Sequence, residues 1–123
     1  MSGRLSLFRG RSAESCACVF LEQLGLRILA RNFRSRFGEI DIIAQEGDTL
    51  VFTEVKTRGV FCMGSAFEAV NRSKQQKIIR TALLFLSRSD LDDLYIRFDV
   101  IAVDANGKCS RLCDAFGPDD GDC

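Results

Sequence analysis

Gly38-Glu39-Ile40-Asp41-Ile42-Ile43-Ala44-Gln45-Glu46-Gly47-Asp48-Thr49-Leu50-Val51-Phe52-Thr53-Glu54-Val55-Lys56-Thr57-Arg58 contains two runs rich in Ile, Val, Phe and Thr, joined through Gly47-Asp48. β-Forming runs around a dipeptide with Gly first predict a hairpin closed by a type II′ or I′ turn. With Gly47 and Asp48 as the loop, Glu46 faces Thr49, Asp41 faces Glu54 and Glu39 faces Lys56. Opposed residues share a face and side chains alternate along each strand. Glu39, Asp41, Glu54 and Lys56 therefore form a polar cluster on one side, and Ile40, Ile42, Val51, Thr53 and Val55 take the other.

Like charges directly opposite on a sheet repel. The Asp41–Glu54 pair therefore either lies in solvent at a frayed end, with Glu39–Lys56 as a minor surface ion pair, or is held by a bound cation. Oxygen ligands from one or two carboxylates suit Mg²⁺ or Mn²⁺, with water and substrate phosphate completing the shell. Lys56 would then stabilise charge on a phosphate or orient a nucleophilic water.

Working outward, 123 residues make one domain with enough chain to bury a core. Residues 1–11 read as a loose basic arm and residues 117–123 as an acidic tail. Lys plus Arg and Asp plus Glu balance at 17 each, which argues against tight sequence-independent nucleic-acid binding at physiological salt. The charges are nonetheless segregated. Residues 1–36 hold seven Arg against Glu14 and Glu22, residues 56–80 hold six bases against Glu68, and the last ten residues hold four Asp and no base. Such segregation allows a basic face beside an acidic one. No apolar stretch is long enough to span a bilayer, and the first residues lack a signal-peptide core, so the expectation is a cytoplasmic protein with no membrane association.

The six cysteines, at 16, 18, 62, 109, 113 and 123, lack the paired spacing of a zinc site, and the chain has no His. Free thiols are the expected state. The absence of His also excludes a serine–histidine triad.

A first helix is expected over residues 13 to 24, capped by Ser12 and stopped by Gly25. Its apolar stripe is Ala13, Cys16, Ala17, Phe20, Leu21 and Leu24. Glu14 stands in the first turn, where the helix dipole favours a carboxylate. A strand over residues 26 to 30 leads into Arg31-Asn32-Phe33-Arg34-Ser35-Arg36-Phe37. Arg forks match phosphate oxygens, and an exposed Phe stacks on an unpaired base. The plainer expectation puts both Phe in the core.

After the hairpin come a connection at residues 59–64, a short helix at 65–70, and a longer helix at 72–87 capped by Asn71. Its buried stripe is Ile78, Ile79, Ala82, Leu83, Phe85 and Leu86, with Arg72, Lys74, Lys77 and Arg80 on the solvated side. Residues 95–103 read as a central strand on which Arg97 and Asp99 share a face, either as a structural ion pair or as groups supporting the hairpin cluster from behind. Asn106-Gly107 turns the chain into a last strand over residues 108–116.

Asp41 followed by Glu54-Val55-Lys56 on the next strand is similar to the PD-(D/E)xK nuclease core. The longer set comprises Ala13-Glu14, Gly25, Arg31-Asn32-Phe33-Arg34, Gly38-Glu39-Ile40-Asp41 and Phe52-Thr53-Glu54-Val55-Lys56-Thr57-Arg58. It continues with Gly64, Lys74, Ala82, Arg97-Phe98-Asp99-Val100 and Asp114-Ala115-Phe116. This set resembles the YraN-like family of uncharacterised bacterial proteins within that superfamily. The resemblance implies an α/β fold with a mixed central β-sheet flanked by helices, the restriction-endonuclease-like core. It implies a Mg²⁺- or Mn²⁺-dependent endonuclease acting on DNA or RNA phosphodiesters, branched or single-stranded substrates included. Asp41 and Glu54 would hold the metal and Lys56 would assist, with Glu39 and Glu14 as further acids near the centre. Lys74 would approach substrate, grouped with Arg31, Arg34, Arg36 and Arg58 as nucleic-acid contacts. A homodimer would let such a nuclease reach both strands. Two alternatives stand beside it: a non-catalytic nucleic-acid-binding module of the same fold, and a protein-interaction adaptor whose acidic tail meets a protein partner.

Overall fold

The computed structural model describes residues 13–57, 71–91 and 93–117. The basic arm, Ser12, Arg58, Cys62, the expected connection and short helix at 59–70, and the acidic tail beyond Gly117 lie outside them. The elements in chain order are α1 (Ala13–Gln23), β1 (Arg27–Arg34), β2 (Glu39–Glu46), β3 (Thr49–Thr57), α2 (Arg72–Ser87), β4 (Tyr95–Val103) and β5 (Cys109–Phe116). The strands form one sheet in the order β1-β2-β3-β4-β5. Only β3 and β4 run parallel, joined through the segment that contains α2. The result is the expected α/β domain with a mixed sheet and two helices.

The β2–β3 register follows the turn chemistry. Glu46 pairs Thr49, and the ladder runs through Ala44–Val51 to Ile42–Thr53, with Gly47 in the left-handed region at φ 60°. β3 is central, and Leu50, Val51, Phe52, Thr53 and Glu54 are buried in succession, as a strand covered on both faces requires. Glu54 is therefore a core position rather than a solvated one.

Two cores lie on opposite sides of the sheet. Under α2, Ile43, Leu50, Phe52, Phe98, Val100 and Phe116 pack with Ile78 and Ala82. A chain of Phe rings crosses this layer: Phe33 meets Phe85 edge-on at 5.2 Å, Phe85 meets Phe52 at 6.1 Å, and Phe52, Phe98 and Phe116 stack at 5.5 and 5.1 Å. Under α1, Ala17, Cys18, Leu21 and Leu26 cover Ile42, Ala44, Val51, Ile101 and Val103.

Four expectations are corrected. Ile40 packs with Ile43 under α2 instead of with Ile42, so simple alternation fails across Asp41. The α1 stripe holds from Ala13 to Leu21 but is wider than expected, with Cys18 buried too, and it ends before Leu24, which is half exposed beyond the last turn. In α2, Leu83 faces solvent and Thr81 takes a buried place instead. The strand expected to stop at Ala30 runs on to Arg34, with a bulge between Ile28 and Ala30 and Asn32 at φ 53°.

The helix ends follow local rules. Gly25, at φ 96°, donates to Glu22 O while Leu26 N–H reaches Leu21 O, closing α1 in a Schellman motif with a Leu21–Leu26 apolar contact. The Asn71 side chain accepts from Lys74 N–H at 3.0 Å and caps α2.

β4 and β5 are tied by a buried ionic lock. Arg97 grips Asp99 with two bonds of 2.9 and 3.0 Å, Arg111 adds a third at 3.1 Å, and both arginines also hold Glu46. Asp99 is wholly buried. Its remaining lone pairs are met by the backbone N–H of Asp114 at 2.9 Å, where three residues of β5 bulge out opposite one of β4 and Asp114 takes φ 54°. The Arg97–Asp99 pair is the expected one; Arg111 and Glu46 enlarge it.

Candidate active site

β3 emerges from the core at Glu54, and the site forms at this end of the sheet. Period two along the strand directs Glu54 and Lys56 to the same side, and Lys56 Nζ lies 3.4 Å from Glu54 Oε2. The Asn71 cap starts α2 where its first turn delivers Lys74, whose ammonium forms a direct ion pair with the same Glu54 oxygen. Glu54 is thus 5% exposed and neutralised by two ammonium groups.

Asp41 stands across from it. The β2–β3 ladder ends at Ile42–Thr53, and one Asp41 carboxylate oxygen accepts the Val55 N–H at 2.8 Å. Burial, then the Glu54 charge, push Asp41 up to about 7, against the opposing bond from Val55 N–H. Glu14, in the first turn of α1, adds a smaller push in the same direction. Asp41 therefore keeps a proton well above the ordinary carboxylate range, or gives it up to a cation.

The lysines divide the remaining work. Burial and the neighbouring Lys74 lower Lys56, against the pull of Glu54. Lys74 is also opposed by burial, yet its contacts with Glu54 and Lys56 carry it above the ordinary lysine value. Lys56 is the more readily deprotonated of the two, and Lys74 is the standing counter-charge.

Asp41, Glu54, Lys56 and Lys74 are brought together; Glu14 acts on Asp41 only through its charge, and the other candidates lie elsewhere. Glu39 does not pair with Lys56. It lies opposite Arg34 on β1 and takes that guanidinium at 3.1 Å, because the chain before Asp41 pairs with β1. It instead lines a cleft of about 300 Å³ with Gly38, Asn71, Ser73, Lys74 and Lys77. Arg31 packs on the start of α1, bonding Ser15 at 3.1 Å and approaching Glu14 at 4.0 Å. Arg36 lies on the β1–β2 turn, away from the carboxylates. Of the Phe pair, Phe33 is in the core as expected; Phe37 is only partly buried, with the Arg36 and Arg80 guanidiniums over its ring at 5.0 and 5.9 Å. Arg80 and Arg88 were missed as partners of Arg36. Their signal is a helical stripe at spacings of three and four residues, which one-dimensional reading merges with an ordinary solvated face.

Among the described residues no three His, Cys, Asp or Glu side chains converge as a metal cage. Cys16, Cys18, Cys109 and Cys113 are free; burial raises Cys18 and pushes Cys109 up to about 11, which keeps both as thiols. No helix among the described residues is long and apolar enough to cross a membrane.

A family model described as "Uncharacterised protein family UPF0102" matches residues 13–103, a span containing every residue of the carboxylate centre. A UPF0102 protein of Desulforapulum autotrophicum is 50% identical over 103 residues, covering 84% of this chain and 85% of the relative. One of Persephonella marina is 40% identical over 114 residues, covering 93% and 97%. One of Caldicellulosiruptor saccharolyticus is 46% identical over 99 residues, covering 80% and 84%.

Proposed function

The chain belongs to the uncharacterised protein family UPF0102, and from its carboxylate centre we propose that it is a metal-dependent hydrolase of nucleic-acid phosphodiesters, built on the PD-(D/E)xK pattern. The observation that carries this reading is that Asp41 accepts the N–H of Val55, the residue next to buried Glu54, so that burial and the Glu54 charge raise Asp41 to about 7. A fold keeps such a pair at a cost, and a divalent cation removes that cost by taking the place of the proton.

The donor set fits Mg²⁺ or Mn²⁺. Two carboxylates, with no third converging acid, cysteine or histidine among the described residues, match a cation that keeps most of its waters and accepts substrate phosphate. Asp41 would hold it through the oxygen left free by Val55 N–H, and Glu54 through the oxygen not engaged by the lysines. Bound there, the cation supplies Lewis acidity toward the phosphate and lowers the pKa of water. Lys56 is set to hydrogen-bond the attacking water or a phosphoryl oxygen as charge develops. Lys74, on the more exposed side of Glu54, is the group that must turn from the carboxylate toward a substrate phosphate.

Calorimetric titration with Mn²⁺ and Mg²⁺ tests the reading. Binding at millimolar or tighter, lost in both Asp41→Ala and Glu54→Ala, is the expected result; hydrolysis of single-stranded, flapped or four-way substrates should then follow the same pattern. Titrations with no heat, together with variants at least as stable as wild type, would sink the two-carboxylate site in the free protein. One observation favours a second reading, a binding module that no longer cleaves: Glu54 is already neutralised by two ammonium groups. Nucleic-acid binding that survives Asp41→Ala, with no cleavage in either metal, would select it.

A further inference from the structure

The β1–β2 turn carries a cationic cluster that the carboxylate centre does not use. Arg36 and Phe37 form a two-residue loop, closed by Ser35 N–H to Gly38 O at 2.8 Å and Gly38 N–H to Ser35 O at 3.3 Å. The turn is docked on α2 rather than projecting into water. Ser35 and Thr81 share a hydroxyl–hydroxyl bond of 3.0 Å, and a Cβ on Gly38 would stand only 3.5 Å from the Lys77 Cβ. Arg36 and Arg80 both lie over the Phe37 ring, which orients their guanidinium planes. Arg88 joins them across a cleft of about 370 Å³ lined by Arg34, Ser35, Arg36, Phe37 and Leu84.

The cluster is also unpaired. Arg31, Arg34, Arg97 and Arg111 each reach a carboxylate. Arg36, Arg80 and Arg88 are exposed and make no ion pair among the described residues. Gathering three unpaired guanidiniums, one on the turn and two from α2 and its C-cap, opposes folding by mutual repulsion, and an anionic ligand relieves it. The charges also form a line. Lys74, Lys77, Arg80 and Arg88 recur along one stripe of α2, and the cleft holding Lys74 and Lys77 adjoins the turn through Gly38. From Lys74 to Arg88 the helix rises about 21 Å, or about six steps of a stacked strand.

We propose that the Arg36–Phe37 turn, with Arg80 and Arg88, is an anchor for the sugar–phosphate backbone of a polynucleotide that runs along α2 to the Asp41–Glu54 centre. The proposal rests on the hydrolase reading for the far end of that track. Guanidinium forks take phosphate oxygens two at a time, and such contacts position a strand without reading its sequence. A line of anion sites about 21 Å long fits a repeating phosphate chain better than a single phosphorylated side chain. The cleft lining contains no acidic side chain, so the anchor needs no metal.

Fluorescence anisotropy of the full chain with a labelled thymidylate dodecamer, in EDTA and across a series of KCl concentrations, tests the anchor. The Arg36→Ala/Arg80→Ala double variant is expected to bind at least about tenfold more weakly at low salt. It should also flatten the log–log salt slope by about 1.4, because two phosphates of a single strand are no longer neutralised. Arg36→Lys/Arg80→Lys should restore the slope but not the full affinity, and Arg27→Ala, an exposed arginine on β1 outside the track, should bind like wild type. Circular dichroism melting checks that each variant is folded. If the double alanine variant keeps the wild-type affinity and slope, the anchor is overturned while the hydrolase reading stands. If wild type fails to bind at low salt, both fall. If binding depends on the arginines but no substrate is cut with either metal, the anchor stands and the hydrolase reading falls. Equal affinity for polyglutamate would overturn the assignment of the ligand as a polynucleotide.

Discussion

At the scale of single residues, Asp41 is where the chemistry and the stability of this protein meet. Its folded-state pKa of about 7 lies above the ordinary 3.8, so the folded chain holds a proton that the unfolded chain releases. That contribution to stability is full below pH 3.8, shrinks as pH rises through 7, and is then lost. Asp41→Asn keeps an acceptor for Val55 N–H and removes the charge, so its advantage over wild type should grow by about 1–3 kcal/mol between pH 5 and pH 8. Urea denaturation at the two pH values measures this; an advantage independent of pH would contradict the raised carboxyl. The placement of Glu54 and Lys56 was legible from the period of two along β3, and that of Asp41 from the register set by Gly47-Asp48, although alternation fails just before it. Lys74 was legible only through resemblance, since a lysine in a helix's first turn looks the same whether it meets water or a buried acid. Glu39 was misassigned because nothing local marks the point where β2 leaves β3 and pairs with β1 alone.

At the scale of elements, two sets of ion pairs contrast. The exposed Arg34–Glu39 pair should be worth little, and Arg34→Ala should shift stability by no more than about 0.5 kcal/mol. Asp99 is different. Its removal strands Arg97, Arg111 and the Asp114 N–H at a buried site, so Asp99→Ala is expected to cost about 3–5 kcal/mol. Denaturant midpoints for the two variants check the difference, and a mild Asp99→Ala would mean that water replaces the lost carboxylate. The limits of β4 and α2 were readable from β-branched density, the Asn71 cap and the Asn106-Gly107 turn. The i, i+2 spacing gave the Arg97–Asp99 pair. Arg111 and Glu46 were beyond reach, since they join it from strands whose neighbours no short-range pattern specifies. The stripe of α1 was readable at Ala13, Cys16, Ala17, Phe20 and Leu21; Cys18 was missed because only the sheet decides how far the buried face extends.

For the whole molecule, β3 couples two cores that would otherwise be independent. Phe52 packs under α2, Val51 under α1, and they are adjacent on one strand. Phe52→Ala and Leu21→Ala, on opposite sides, should each cost about 3–5 kcal/mol and lower the midpoint of one shared transition. Far-ultraviolet circular dichroism and amide exchange in α1 and α2 would report this; separate transitions for the two helices would show two units. Fold class was readable from the order of helices and strands, but the parallel β3–β4 pairing was not, because it depends on where α2 returns the chain. At one margin of the sheet, the β5 bulge has a further effect. An outermost strand offers a free row of N–H and C=O groups that can template another chain. Here three residues bow out around the left-handed Asp114, whose own N–H is turned inward to Asp99. The docking row is interrupted, and β5 is poorly suited to strand addition, which protects the folded chain from edge-to-edge aggregation.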